Sequence, residues 1–201
     1  ARPIEYNIIR TNRWTVADSE HVESKLHDGD DNSYVWYDPD GSGNTTNDTC
    51  KENDYLGYDF GKVADLVSAH IVIGADNTDK MKRYKIETSL DGDKWTAVDG
   101  YDNYTGVESG KDILNIDLTG TRARYIRICN LEDYQKWVKF SEFTVKEKAS
   151  GARAGLYTNV DTNITASLEE GSVSLSNGTV TLNKDEYIGV KLGDIKAIQN
   201  I

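Results

Sequence analysis

Seven short apolar runs limit what this chain can fold into. Residues 6–10, 56–60, 66–73, 83–88, 113–118, 125–129 and 140–145 are each strand length and rich in β-branched or aromatic side chains. Turn-forming clusters such as Ser89-Leu90-Asp91-Gly92-Asp93, and one long polar loop over residues 38–54, separate them. No window of a dozen residues carries a helical apolar stripe, so the chain reads as all-β, a sandwich or jelly roll built from short strands.

Charge and residue counts narrow the chemistry. Thirty-four acidic against 23 basic side chains give a net charge of -11, which repels nucleic-acid phosphates and anionic membrane surfaces. No apolar run is long enough to insert into a bilayer. Three His, two Cys and one Met leave few soft metal ligands or thiol nucleophiles, and His21, His27 and His70 share no short spacing. No nucleophile elbow, zinc motif or phosphate loop is present, and abundant carboxylates make a chance acidic pair uninformative about glycosidase chemistry. Cys50 and Cys129 match no zinc spacing; unpaired thiols are the expectation, with a bridge left open.

The apolar pattern breaks near residues 146–155, where Glu, Lys, Ala, Ser and Gly take over. The expected organisation is a first domain over 1–148, a linker over 149–155, and residues 156–201 as the truncated start of a second β module, a C-terminal β-rich extension. An internal echo supports the last part. Residues 54–63, Asp-Tyr-Leu-Gly-Tyr-Asp-Phe-Gly-Lys-Val, share an order with residues 186–195, Glu-Tyr-Ile-Gly-Val-Lys-Leu-Gly-Asp-Ile: acidic, Tyr, aliphatic, Gly, two variable, apolar, Gly, variable, aliphatic.

Residues 25–33, Lys-Leu-His-Asp-Gly-Asp-Asp-Asn-Ser, wrap three acids and a hydroxyl around a glycine. A hard cation that takes six to eight oxygens suits such a turn, although the EF-hand spacing is missing and acidic loops are often only solvated.

Five segments then occur in the order and spacing of a known module: residues 12–19, 25–33, 89–95, 123–128 and 140–145. Over residues 4–147 the chain resembles the coagulation factor 5/8 type C (discoidin) superfamily, and within it the family 32 carbohydrate-binding modules of secreted bacterial glycosidases. The resemblance implies an eight-stranded antiparallel jelly-roll sandwich, galactose-binding-domain-like, with binding loops at one end and a structural calcium ion nearby. Carried over by position, the ion's ligands are the main-chain carbonyls of Lys25 and Asp30, the Asp28 carboxylate, the hydroxyl and carbonyl of Ser33, the Ser141 carbonyl and the Glu142 carboxylate.

The same resemblance places the ligand site in the loops beside the ion. A sugar needs a flat aromatic face for its C–H surface and polar groups for its hydroxyls. Trp36 and Tyr37 follow the ion loop, Asp76 and Asn77 lie in a later loop, and Tyr134 offers a second platform; these are the expected saccharide residues. Where galactose-binding relatives carry a Trp-His pair this chain reads Val35-Trp36, and no Arg falls near Gly74-Ala75-Asp76-Asn77. Terminal N-acetylglucosamine or a related amino sugar is therefore expected ahead of galactose. Trp14, Trp95 and Trp137 are read as core or loop anchors, and Asp38 and Asp40 as part of a solvated flap.

The expected function is non-catalytic glycan binding that targets a parent secreted glycoside hydrolase, with neighbouring modules of that parent as further partners. The alternative is an adhesion or membrane- or protein-binding discoidin domain, which would need a basic collar; residues 1–148 instead carry 19 basic and 28 acidic side chains. Secreted or extracellular placement, cell-surface attachment included, rests on the resemblance, since the opening Ala1-Arg2-Pro3 begins no leader-like apolar stretch.

Overall fold

The computed structural model describes residues 1–43, 48–148, 155–158, 165–169, 172–176 and 188–191. The chain forms two compact units, Ala1–Lys148 and Ala149–Ile201. Among its described residues the first holds eleven strands: β1 (Arg2–Pro3), β2 (Asn7–Arg10), β3 (Thr15–Val16), β4 (Val35–Asp38), β5 (Tyr55–Ile73), β6 (Arg83–Ser89), β7 (Trp95–Ala97), β8 (Tyr104–Thr105), β9 (Asp112–Asp117), β10 (Arg122–Asn130) and β11 (Val138–Glu147). A short 3-10 turn spans Glu23–His27. Three of the strands, β1, β3 and β8, have only two residues each. Without them the expected eight remain.

All pairings are antiparallel, and they build two layers that share β5. One layer runs β3-β4-β11-β5-β9, with β1 added to the end of β11; the other runs β2-β5-β10-β6-β7, with β8 also on β6. The sequence reads as two strands where the structure has one, because residues 61–63 are exposed as β5 passes from one layer to the other. Gly61 takes φ 68°, a left-handed conformation that costs a glycine little, and its N–H donates to Asp59 at 2.7 Å. Alternation decides which side chains enter the core: along β9, Asp112, Leu114 and Ile116 are buried while Ile113, Asn115 and Asp117 are exposed.

Between the layers lie Trp14, Leu26, Tyr37, Tyr58, Tyr84, Phe140 and Phe143, all fully buried. Each such side chain contributes roughly 1.5–3 kcal/mol by leaving water. The Tyr58 hydroxyl donates to the Phe143 carbonyl at 2.6 Å and so ties β5 to β11 through the core. Tyr58→Phe is expected to cost about 1 kcal/mol and to lower the melting midpoint by about 2–4 °C, read by calorimetry. Cys50 and Cys129 are free and buried, and burial pushes both thiols up from their ordinary pKa.

In the second unit, β12 (Gly155–Thr158) pairs with β15 (Ile188–Lys191), and β13 (Thr165–Glu169) with β14 (Ser172–Ser176). The linker reading over residues 149–155 lies outside the described residues except for Gly155.

Candidate functional site

Residues 25–33 fold as a compact acidic turn. Ser33 donates its hydroxyl to Asp28 at 2.7 Å, the Asp30 N–H donates to the other Asp28 oxygen at 3.0 Å, and the Ser33 N–H closes on the Asp30 carbonyl at 3.1 Å. The Ser33 contact, followed by the other donors, holds the Asp28 carboxyl below its ordinary pKa. The turn is brought to β11: Gly29 donates its N–H to one Glu142 oxygen at 3.0 Å, across 113 positions of sequence. Asp28 and Glu142, distant in the chain, are neighbours in the fold.

Glu142 is 2% exposed, and its second oxygen, Oε1, is buried without a hydrogen-bond partner. Burial, opposed by the Gly29 N–H and reinforced by the charges of Asp28 and Asp31, pushes its carboxyl up to about 7. An ionised carboxylate with an orphaned oxygen among other acids is costly without a cation. The donor set of carboxylates, carbonyls and a hydroxyl fits a hard divalent ion such as calcium. A cavity of about 510 Å³, lined by His27, Gly29, Asp30, Asp31, Asn32, His70 and Glu142 among others, lies at this turn. The Ser141 hydroxyl donates to the Gly74 carbonyl at 2.9 Å, and Lys25 places its ammonium 3.5 Å from Asp28.

Next to Ser33 begins a second cluster. In β4, Val35 and Tyr37 face the core while Trp36, and Tyr34 just before the strand, are partly exposed. Tyr37 is fully buried, packs at 5.3 Å against Trp14 and donates its hydroxyl to Glu23 at 3.1 Å. The expectation for Tyr37 is therefore corrected: strand alternation turns it away from any ligand. Trp36 lies directly opposite Lys139 on β11, and its ring is 4.8 Å from that of Trp137. Lys139 places its ammonium 4.6 Å from the centre of the Tyr34 ring and 5.0 Å from that of Trp36, and it pairs with Asp76 at 3.4 Å and Asp79 at 3.8 Å. His21 stacks on Tyr34 at 4.4 Å and meets Trp36 edge-on at 6.1 Å.

Asp76 is thus joined to Trp36 through Lys139, and Asn77 lies beside it, donating its side-chain amide to Asp79 at 3.0 Å. The Asp76 carboxyl sits below its ordinary pKa, held first by its own backbone N–H and then by the Lys139 charge. Tyr134 belongs elsewhere: its backbone pairs with Cys50 and its ring faces the Lys82 ammonium at 5.8 Å. Because the Asp76 side of its ion pair is 84% exposed, Asp76→Ala is expected to move the melting midpoint by less than about 2 °C, measured by thermal unfolding.

Reading the sequence missed Tyr34, Trp137, Lys139, His21 and Asp79. The period-two spacings Tyr34-x-Trp36 and Trp137-x-Lys139 are visible in the sequence, but placing them side by side requires the β4–β11 register. Asp38 and Asp48 were also hidden. Both are 2% exposed, so the solvated-flap reading is corrected for Asp38. Oxygens of Asp38, Asp40 and Asp48 lie within 4.8 Å of one another and could hold a metal. Asp38 already accepts the N–H groups of Asp40, Gly41 and Gly43, and Asp48 accepts the Trp137 indole N–H and the Ser42 hydroxyl, so the cluster also braces its own loop.

The model of the F5/8 type C domain matches residues 10–143. The chain belongs to that family. No curated protein matches it in sequence. The F5/8 type C unit is similar to CBM32-1 from a family 31 glycoside hydrolase of Clostridium perfringens, at 20% identity and a TM-score of 0.52, covering 73% of this chain and 98% of that one. It is also similar to the family 32 module of C. perfringens NanJ, solved with galactose, at 18% identity, a TM-score of 0.48 and coverage of 69% and 92%. A third similar structure is chitosan-binding module 1 of a Paenibacillus chitosanase/glucanase, at 16% identity, a TM-score of 0.49 and coverage of 72% and 96%. The first of these likenesses supports the architecture already described, an antiparallel β-sandwich of the discoidin type.

Proposed function

We propose that the first unit is a non-catalytic carbohydrate-binding module that holds a parent secreted glycoside hydrolase on glycans. The observation that carries the reading is the Trp36–Trp137 ring pair set beside Lys139, Asp76 and Asn77. Two indoles supply an apolar platform for one face of a pyranose, while an ammonium, a carboxylate and an amide supply donors and acceptors for its hydroxyls. Terminal N-acetylglucosamine or a related amino sugar is the proposed ligand. Calcium, held by the Lys25, Asp28, Asp30, Ser33, Ser141 and Glu142 set, is the proposed structural ion; it would fix the turn that leads into Tyr34 and Trp36. Secreted, extracellular placement is part of the same reading, where a calcium site of the kind found in extracellular modules would be filled.

The test is retention of the full chain on immobilised saccharides in calcium-containing buffer. Binding to N-acetylglucosamine-terminated glycans, with weaker binding to galactose, supports the proposal. Retention only on anionic liposomes, lost as salt is raised, would replace it with the lipid-binding reading. Turnover of chromogenic amino-sugar glycosides, abolished by a single acidic substitution, would replace it with an enzyme.

A further inference from the structure

The chain between β5 and β6 surfaces only at its tip. Ala75, Lys80 and Met81 are buried on its two shoulders, while Asp76 is exposed and Asn77 and Asp79 are partly so. One shoulder is held by β11: the Lys139 N–H donates to the Asp79 carbonyl at 3.0 Å, and the Gly74 N–H to the Lys139 carbonyl at 2.7 Å. The other is held by a buried charge. Lys80 is 1% exposed, and its ammonium lies 2.9 Å from Asp112, which opens β9 and is 4% exposed.

The surroundings are fitted to this pair. Lys80 also donates to the Gly110 carbonyl at 3.2 Å; one Asp112 oxygen accepts the Tyr84 hydroxyl at 3.2 Å and the other the Val107 N–H at 2.7 Å. Two glycines make room: a Cβ on Gly106 would run into the Asp112 carboxylate, and one on Gly74 would lie 2.7 Å from the Gly110 carbonyl oxygen. The Gly110 N–H in turn donates to the Asn77 carbonyl at 3.0 Å, so the residues before β9 hold the tip as well. Stability alone does not account for such a pair, because apolar side chains of similar volume often stabilise a fold as well or better. What a fully hydrogen-bonded buried pair supplies is one fixed arrangement of the segments that carry it. Here one of those segments presents Asp76 and Asn77 at the rim.

We propose that Lys80 and Asp112 are positioning residues of the saccharide site, holding the Asp76–Asn77 tip beside Trp36 so that its polar groups discriminate between sugars. Both are buried, so they act through the tip and not by touching the sugar. The Trp36–Trp137 platform supplies the part of the binding that discriminates little, since it meets the apolar C–H face of the ring. This rests on the saccharide reading of the rim and adds to it what sets the choice of sugar.

The test is the ratio of affinities of the full chain for N-acetylglucosamine- and galactose-terminated glycans, measured by titration calorimetry. Lys80→Met with Asp112→Asn removes both charges and keeps an acceptor for the Val107 N–H and the Tyr84 hydroxyl. That variant should lose at least about tenfold of the ratio while keeping residual binding that Trp36→Ala weakens further. Amide exchange at residues 76–79 should quicken by at least about tenfold, and that at residues 142–145 should not. Tyr58→Phe, which weakens the core without touching the tip, should leave the ratio unchanged. If the double variant fails to fold, Tyr84→Phe, which deletes one donor to Asp112, should still lower the ratio by at least about threefold. An unaltered ratio in the variant that folds, unaltered exchange at the tip, an equal loss in Tyr58→Phe, or a parent protein with no preference between the two sugars overturns the inference alone. A parent that retains no saccharide overturns the saccharide reading and the inference with it.

Discussion

Calcium added to metal-free protein is expected to raise the melting midpoint of the first unit by about 5–10 °C, and Asp28→Ala to remove most of that gain. The magnitude follows from linkage. An ion at 100 times its dissociation constant stabilises the state that binds it by about 2.7 kcal/mol, and a unit of this size shifts by about 2–4 °C per kcal/mol. The cause lies in the joining of Gly29 to Glu142, which leaves one oxygen of a buried carboxylate unpartnered among other acids. Asp28→Ala removes both a proposed ligand and the acceptor of the Ser33 hydroxyl, so its own midpoint should also fall. A parent protein whose midpoint ignores chelator would end the assignment.

The same carboxyl gives this prediction a pH signature. Glu142 is raised to about 7 in the fold, against about 4.3 for an unfolded Glu. Between those values the native state binds more protons than the unfolded state, so metal-free stability should fall as pH rises from about 4.5 to 7 and level off outside that window. Calcium requires the ionised form, so the gain from added calcium should shrink as pH drops below about 7. Glu142→Gln should flatten the metal-free profile. Midpoints taken with chelator and with calcium across that range separate this from a generic acid effect, which would have the opposite slope.

How much of this was legible in the sequence depends on sequence distance. The strand runs, the turn at Lys25 to Ser33 and the link to Glu142 were readable, the first from period-two alternation and the others from a contiguous motif with a family pattern behind it. Tyr37 was misplaced because adjacent aromatics in a strand point to opposite faces, and nothing local says which face is the core. Trp137, Lys139 and Asp79 were missed because they reach Trp36 only through the pairing of β4 with β11 and the docking of the Gly74–Asp79 loop, whose backbone contacts include Gly74 N–H to Lys139 at 2.7 Å and Lys139 N–H to Asp79 at 3.0 Å. Contacts across such separations are made by topology, and local propensity carries no signal for them.

Trp36→Ala is expected to weaken glycan binding by at least about 30-fold, equivalent to about 2 kcal/mol, while the fold persists. Trp36 has the larger role at the rim because it is central: it touches Trp137 and His21, and it lies opposite Lys139, whose ammonium packs over its ring. Truncation removes half of the stacking platform and lets water reach Lys139, which keeps its Tyr34 face and its pairing with Asp76 and Asp79. The core beneath, including Val35 and Tyr37 on the opposite face of β4, is left in place. Titration calorimetry with N-acetylglucosamine oligomers measures the loss, and the calcium-dependent melting shift reports whether the neighbouring turn survives. Trp36→Phe, which retains an aromatic face, should recover part of the affinity. Undiminished binding by Trp36→Ala with an unchanged calcium response would move the saccharide site away from this rim and leave the ion assignment standing, since the two rest on different side chains.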